Sequence, residues 1–256
     1  MALPLRDDSP VRHTPWVTYG LILACTLVFL FVQPPPFQRG AEPTNGRSEV
    51  ETVVRFEYRW AAVPCEVSSG RSLADGANCE SRSRLAPRPA GKSVWVSLLT
   101  HLFLHGSLTH LAGNMLFLWV FGRNVEDRFG PLPYLGLYLV TGLIGTLVHV
   151  TFHSHQVVPV LGASGAIAGV MGAYLVIRPR GRILALMTSA AIQVVYVPAF
   201  VVLGLFFVTQ FLTPDADQVA WQAHVGGMVA GVLLGLVLRR FVRDRAPAGA
   251  GLAFTG

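Results

Sequence analysis

Six apolar stretches, separated by charged or turn-rich connections, set the pattern of this chain. They cover residues 16–32, 108–121, 132–152, 160–177, 195–212 and 220–238. Most approach the ~20 residues that a helix needs to cross a hydrocarbon core. The pattern predicts an all-α fold, a polytopic membrane bundle of six transmembrane helices. The second stretch has an apolar approach from Val94 onward and is interrupted by His110 and Asn114. Between the fourth and fifth lies ILALMTSAAIQ, residues 183–193. It is too short to span and is expected at the membrane interface. Pro198 falls near the start of the fifth stretch, where a membrane helix tolerates proline. The first stretch runs into QPPPFQRG rather than a small-residue cleavage site, so it reads as a retained anchor and not as a signal peptide.

Composition agrees with that picture. The 256 residues are 52% hydrophobic and only 13% charged, and a soluble domain carries about twice that charge. The net charge of +6 invites a nucleic-acid reading, but its distribution speaks for a lipid bilayer. With the N-terminus on one side, that side collects Arg6, Arg12, Arg123, Arg128, Arg178, Arg180, Arg182, Arg239, Arg240, Arg243 and Arg245. The short opposite loops at residues 153–159 and 213–219 hold no Lys or Arg. The positive-inside rule then puts both termini in the cytoplasm. Three regions follow: a cytoplasmic N-terminus at 1–15, a six-helix membrane domain at 16–240, and a cytoplasmic tail at 241–256. The tail is expected to be unstructured. No long-period repeat and no soluble second domain is evident.

The membrane domain includes a long polar outer loop, residues 33–93. Its start, 33–47, reads as flexible. Residues 53–64, with Phe56, Tyr58 and Trp60, read as packing on the membrane surface. Cys65 and Cys79 both fall in this loop, in a compartment that permits a disulfide; a bridge and two free thiols both remain open. Cys25, inside the first stretch, reads as a small apolar filler.

Topology brings distant polar residues to one depth. The second, fourth and sixth stretches all begin at the outer face, so His110, Asn114, Ser164 and His224 share that end. Polar groups in membrane spans are costly and face a bundle interior or a water-filled cavity. Ser164 is expected four residues into its stretch, roughly 6 Å below the start at 1.5 Å per residue. Gly227 and Gly231 repeat at a spacing of four on the face that carries His224; Gly165 and Gly169 do so beside Ser164. Small residues at this spacing let membrane helices pack closely. If the two faces meet, Ser164 and His224 become neighbours. Ser164 would then attack a peptide carbonyl while His224 takes its proton and returns it to the leaving amine. A dyad without a carboxylate is the economical reading, with Asp215 and Asp217 not recruited. Asn114, His110 and the Ser164 amide are candidate donors to the oxyanion.

The motifs H110-LAGN, G162-ASG and A223-HVGG, in this order, together with VEDRFG at 125–130, resemble the rhomboid family of intramembrane serine proteases. The resemblance covers about residues 92–240. It implies Ser164 as nucleophile, His224 as base, and His110, Asn114 and the Ser164 amide as the oxyanion site. Glu126 and Arg128 would be structural, in a loop after the second span, and Gly162, Gly165, Gly169, Gly227 and Gly231 would serve helix packing. It implies no metal and no cofactor. The partners it implies are transmembrane protein substrates, cut in or near an easily unwound membrane segment, with the active site opening outward from a bacterial cell membrane. Some relatives carry a tyrosine four residues after the serine, packed on the histidine. Here that position is Ala168, so what orients His224 is open.

Other readings compete. G162-A-S-G-A166 lacks the last glycine of the G-x-S-x-G elbow, and that motif needs a strand before it. His101 and His105, at i,i+4 spacing, suit a metal-binding protein or transporter. Against this there is no H-E-x-x-H and no acidic residue within a span. The simpler role for both is to hydrogen-bond the outer loop to the second span. His149, His153 and His155 read as interfacial residues at an outer helix end. A catalytically inactive relative that binds membrane clients is the remaining alternative, and it would be favoured if Ser164 and His224 were far apart.

Overall fold

A computed structural model describes residues 2–35, 47–77, 79, 86–188, 192–212 and 220–241. The chain starts with strand β1 (Ala2–Asp7), then helix α1 (Trp16–Leu27), which continues as one π-helical turn to Val32. The 33–93 loop contributes α2 (Arg47–Trp60) and α3 (Pro64–Ser69), followed by α4 (Val94–Thr100). Helix α5 (Leu108–Phe117) runs through a second π-helical turn into α6 (Arg123–Phe129). Then come α7 (Pro131–Phe152), α8 (Ser164–Ile177), strands β2 (Arg182–Thr188) and β3 (Ile192–Pro198), α9 (Ala199–Leu212) and α10 (Trp221–Phe241).

The molecule is mostly helical, as its pattern predicts, with one correction. The all-α expectation does not hold for residues 2–7, 182–188 and 192–198, which are strands. β1, β2 and β3 form an antiparallel sheet in that order, with Leu3 opposite Leu186 and Leu184 opposite Tyr196. The physical reason is composition: β3 is rich in β-branched and aromatic residues, which favour a pleated surface over a helix. Alternate β2 residues Ile183 and Ala185 are buried against the helical core, as a strand of period two requires. The fifth apolar stretch therefore divides at Pro198 into β3 and α9. Tyr174, near the end of α8, donates to Asp7 at 2.6 Å and ties the sheet to the bundle.

Among the described residues two helices, Pro131–Phe152 and Trp221–Phe241, are long and apolar enough to cross a membrane. The apolar helices Trp16–Val32, Val94–Phe103, Ser164–Ile177 and Ala199–Thr209 are shorter. The radial arrangement of α10 is inverted relative to a soluble helix. Val229, Leu233, Leu236 and Val237 are exposed, while Gly227, Ala230, Gly231 and Gly235 are buried. Such a helix presents its large apolar side chains to its surroundings and its small ones to its neighbours. α8 is the central element, with every residue from Gly165 to Tyr174 buried.

At the sheet end, Glu126 and Arg128 lie on α6 rather than in a loop. Buried Glu126 accepts from the amides of Val17 and Thr18, each at 2.8 Å, and from the Thr18 hydroxyl at 2.7 Å. Its carboxylate thus caps α1, whose first amides have no intrahelical acceptor and whose dipole favours an anion. Arg128 is half-buried on the same helix.

At the opposite end the described part of the 33–93 loop folds over the connection between α7 and α8. Cys65 and Cys79 are joined by a disulfide. The Cys65 amide donates to the Gln156 carbonyl at 3.0 Å, and Ala62 pairs with Val160 as an isolated bridge. The Lys92 ammonium, buried, pairs with the Glu66 carboxylate and donates to the Ala61 carbonyl at 3.0 Å. Burial lowers the Lys92 pKa from its ordinary value, against the opposing pull of Glu66. Residues 36–46 of the segment expected to be flexible, the 213–219 loop and the tail from 242 onward, with Asp215, Asp217, Arg243 and Arg245, lie outside the described residues.

Candidate active site

Ser164 is the first helical residue of α8, not one turn inside it. Val160 is extended, paired with Ala62, and the chain turns into the helix through Leu161, Gly162 and Ala163. Gly162 has φ +126°, a conformation that an L side chain rarely adopts. A Cβ there would stand 2.8 Å from His110 Cε1, 3.0 Å from its Nε2 and 3.8 Å from Ser164 Oγ. Gly162 is therefore not a helix-packing residue. Its missing side chain is the space in which the His110 ring lies beside Ser164. The turn is pinned by the Gly162 amide donating to the His101 carbonyl at 2.9 Å.

The other four glycines do pack helices. A Cβ at Gly227 would overlap the Gly165 carbonyl, and one at Gly231 the Gly169 carbonyl. Gly169 also has no room on its other side, where Thr141 of α7 sits. The α8 and α10 backbones thus touch along a seam of small residues. Ser164 lies on one side of its end and His224 on the other. His224 Nε2 is 2.7 Å from Ser164 Oγ. With a neutral imidazole, the serine hydroxyl donates this hydrogen bond. His224 is 6% exposed.

A third element completes the arrangement. Ser107 caps α5 by accepting from the His110 amide at 3.1 Å, as serine does at a helix start. This sets His110 in the first turn and Asn114 one turn later on the same face. Asn114 is buried, and its Nδ2 has no hydrogen-bond partner among the described residues. Buried amide donors are nearly always paired; Asn124 Nδ2 is also without a partner among the described residues, but of the two only Asn114 lines the cavity that holds Ser164. The first amides of α8 add to it: Ala163 caps that helix with no side-chain acceptor, and helix-start amides lack intrahelical partners. Ser164, His224, His110 and Asn114 all line one cavity of about 1010 Å³, together with Phe117, Phe206 and Trp221. A nucleophile, a proton acceptor and unsatisfied N–H donors on one cavity are the parts that acyl transfer requires.

The Phe206 ring of α9 lies 5.9 Å from the His224 ring, so an aromatic ring contacts the histidine from a different helix while Ala168 stands buried on α8. Of the other histidines, His101 bonds Thr146 Oγ1 of α7 at 2.9 Å, which replaces the expected tie to the second span. The His105 backbone is held by Gln33: its amide donates to Oε1 at 2.9 Å, and its carbonyl accepts from Nε2 at 3.0 Å. Its ring lies edge-on to His110. His149 and His153 are not merely interfacial. They bind Gln222, two residues before His224, a contact that the sequence signalled only by an i,i+4 histidine pair at a helix end. Among the described residues no three His, Cys, Asp or Glu side chains group as metal ligands.

The Rhomboid domain profile matches residues 92–241. The chain is 34% identical to Rhomboid protease GluP of Bacillus subtilis over 137 residues, which is 54% of this chain and 25% of that protein. It is 34% identical to RHOMBOID-like protein 5 of Arabidopsis thaliana over 141 residues, 55% of this chain and 43% of the relative. Over 237 residues it is 25% identical to RHOMBOID-like protein 6, mitochondrial, of the same plant, covering 91% and 71%. The chain thus spans a quarter of the first relative's length and less than half of the second's.

Proposed function

The chain belongs to the rhomboid family and is a membrane protein, and from that premise we propose that it is an intramembrane serine endopeptidase. The observation that carries the reading is the 2.7 Å contact between Ser164 Oγ and His224 Nε2. A base at hydrogen-bond distance is what a serine needs to become a nucleophile.

In the proposed reaction Ser164 Oγ bonds to the carbonyl carbon of a substrate peptide while His224 Nε2 takes the hydroxyl proton. The oxyanion is held by Asn114 Nδ2, the His110 ring and the Ser164 amide. Collapse breaks the C–N bond, and His224 delivers its proton to the leaving amine. Water then enters and gives a proton to His224 as its oxygen attacks the acyl carbon; the acyl–Oγ bond breaks, and His224 returns the proton to Ser164 Oγ as the acid leaves. The cavity supplies the water a bilayer would otherwise exclude. No metal and no cofactor takes part.

The wider frame of the proposal is six membrane spans over 16–240, with α1, α5–α6, α7, α8, α9 and α10 as their helical parts. Both termini face the cytoplasm of a bacterial cell, and the cavity opens outward. The substrates are membrane proteins cut in or near a transmembrane segment. The inverted surface of α10 and the collection of arginines at the sheet end of the chain support this.

The test needs no known substrate. The purified protein in detergent is treated with a fluorophosphonate probe beside Ser164→Ala and His224→Ala. Labelling of the parent that both substitutions abolish is the expected result. A folded parent that does not label favours a client-binding protein without catalysis. Labelling that survives Ser164→Ala means another nucleophile.

A further inference from the structure

Gln222 lies in the first turn of α10, two residues before His224. Its carboxamide is used at both ends. His149 Nδ1 donates to Gln222 Oε1 at 3.2 Å. Gln222 Nε2 donates to His153 Nε2 at 2.8 Å. The two imidazoles, one turn apart at the end of α7, lie 4.5 Å centroid to centroid. Gln222 is 7% exposed and His149 8%, and all three residues line the cavity that holds the dyad.

A buried carboxamide costs free energy unless its donor and acceptor are both satisfied, and packing alone is served better by an apolar side chain. What two opposed hydrogen bonds add is direction. The rest of this end of α10 is held by close approach: a Cβ at Gly145 of α7 would come 2.5 Å from the Ala223 carbonyl. Close approach fixes the distance between two helices, but a smooth seam of glycines offers little resistance to rotation about the helix axis. His224 needs that rotation fixed. At the roughly 6 Å outer radius of a helix, a turn of about 10° moves a side chain by about 1 Å. Misplacing a catalytic group by ~1 Å can cost on the order of 100-fold in rate.

We propose that Gln222, clamped by His149 and His153, is the positioning residue of the dyad: it sets the rotation of the first turn of α10 and thereby the Ser164–His224 hydrogen bond. This rests on the dyad acting as proposed above. The same clamp requires His149 to carry its proton on Nδ1 and His153 to present a bare Nε2. A glutamate in place of Gln222 keeps the length and can accept from both rings, once His153 carries its proton on Nε2. A methionine keeps the length and can bond neither.

The experiment is fluorophosphonate inactivation kinetics on the full chain, with the rate at saturating probe and the half-saturating concentration measured separately for the parent, Gln222→Met, Gln222→Glu, His149→Phe and the Gln222→Met/His149→Phe double variant. Thermal unfolding is followed alongside. The expected result for Gln222→Met is a saturating rate at least about tenfold lower with the half-saturating concentration little changed. Gln222→Glu is expected to stay near the parent, and the double variant to be no slower than Gln222→Met. A parent-like rate for Gln222→Met overturns the proposal. So does a loss that Gln222→Glu shares in full, in step with a fall in unfolding temperature, since that is what a merely structural role produces. A parent that fails to label at Ser164 overturns the protease reading, and this inference with it; a labelling parent with unaffected variants overturns this inference alone.

Discussion

Gly231 of α10 lies so close to the carbonyl oxygen of Gly169 in α8 that a single methyl group cannot fit between them. The backbones of the two helices are in contact there, about two turns from the Ser164–His224 pair at one end of the seam. Since Gly169 O is backbone, it cannot swing aside as a side-chain tip would. Gly231→Ala is therefore expected to push α10 off α8 and separate His224 from Ser164. The check is probe labelling and unfolding temperature beside Gly136→Ala, whose added Cβ meets nothing within 4 Å. Gly231→Ala should lose both; Gly136→Ala should lose neither. Equal behaviour of the two would mean that the seam is looser than described.

Gly162→Ala tests the turn that presents the serine. The substitution meets a strained φ and the His110 ring together. Strain of this kind costs roughly 1–3 kcal/mol, and the ring must move. Labelling should fall at least about tenfold while the helical content, read by circular dichroism, holds. Full labelling would show that His110 can yield its place without consequence.

Asn114 is the cleanest test of the oxyanion assignment, because its Nδ2 has no acceptor to lose among the described residues. Asn114→Ala should leave the unfolding temperature nearly unchanged and slow turnover of a cleavable membrane-anchored peptide by about 100- to 1000-fold, the range for loss of one such donor. A large loss of stability with proportionate loss of activity would instead make it a structural amide.

Glu126 should show the opposite profile. Its carboxylate accepts three hydrogen bonds from the start of α1 and lies in the half of the bundle away from the dyad. Glu126→Ala leaves the Val17 and Thr18 amides without their acceptor. The expected cost is about 2–5 kcal/mol, more than a single neutral hydrogen bond, measured by unfolding in detergent. The fraction that remains folded should label at the parent rate.

The disulfide closes a loop with a sequence separation of 14, for which chain entropy suggests about 3 kcal/mol of stabilisation. Cys65 also holds the Gln156 carbonyl of the connection that leads to Ser164. Reduction, or Cys79→Ser, should make the outer loop more susceptible to protease and lower the unfolding temperature. Unchanged proteolysis after complete reduction would show that the loop is held by Glu66, Lys92 and its backbone pairing alone.

Much of the site was legible along the chain because its parts are local patterns. Ser164 and His224 stood out as polar residues in apolar stretches, and the glycine spacing marked the two faces that meet. The helix start at Ser164 was less legible. Val160 and Leu161 are as apolar as the helix that follows, so hydropathy cannot tell an extended approach from a first turn. The pairing of Val160 with Ala62, about a hundred residues earlier, ends the ambiguity. The hairpin was missed for a related reason: β2 and β3 are short apolar runs, and an apolar run of that length reads equally as interface, strand or buried helix.

By itself the sequence determined that the chain is largely helical, that its apolar stretches suit a membrane, and that a serine, two histidines and an asparagine fall at equivalent ends of three of them. These follow from side-chain chemistry and helical periodicity, which act over a few residues. Only the tertiary structure decided that β1 pairs with β2 far down the chain, that Glu126 caps α1, that Gly162 makes room for His110, and that Gln222 is gripped by His149 and His153. Each is a contact between segments remote in sequence, fixed by close approach in the case of Gly162 and His110 and in the others by hydrogen bonds that must be satisfied once those segments are buried together. No local pattern records which distant donor will meet which acceptor.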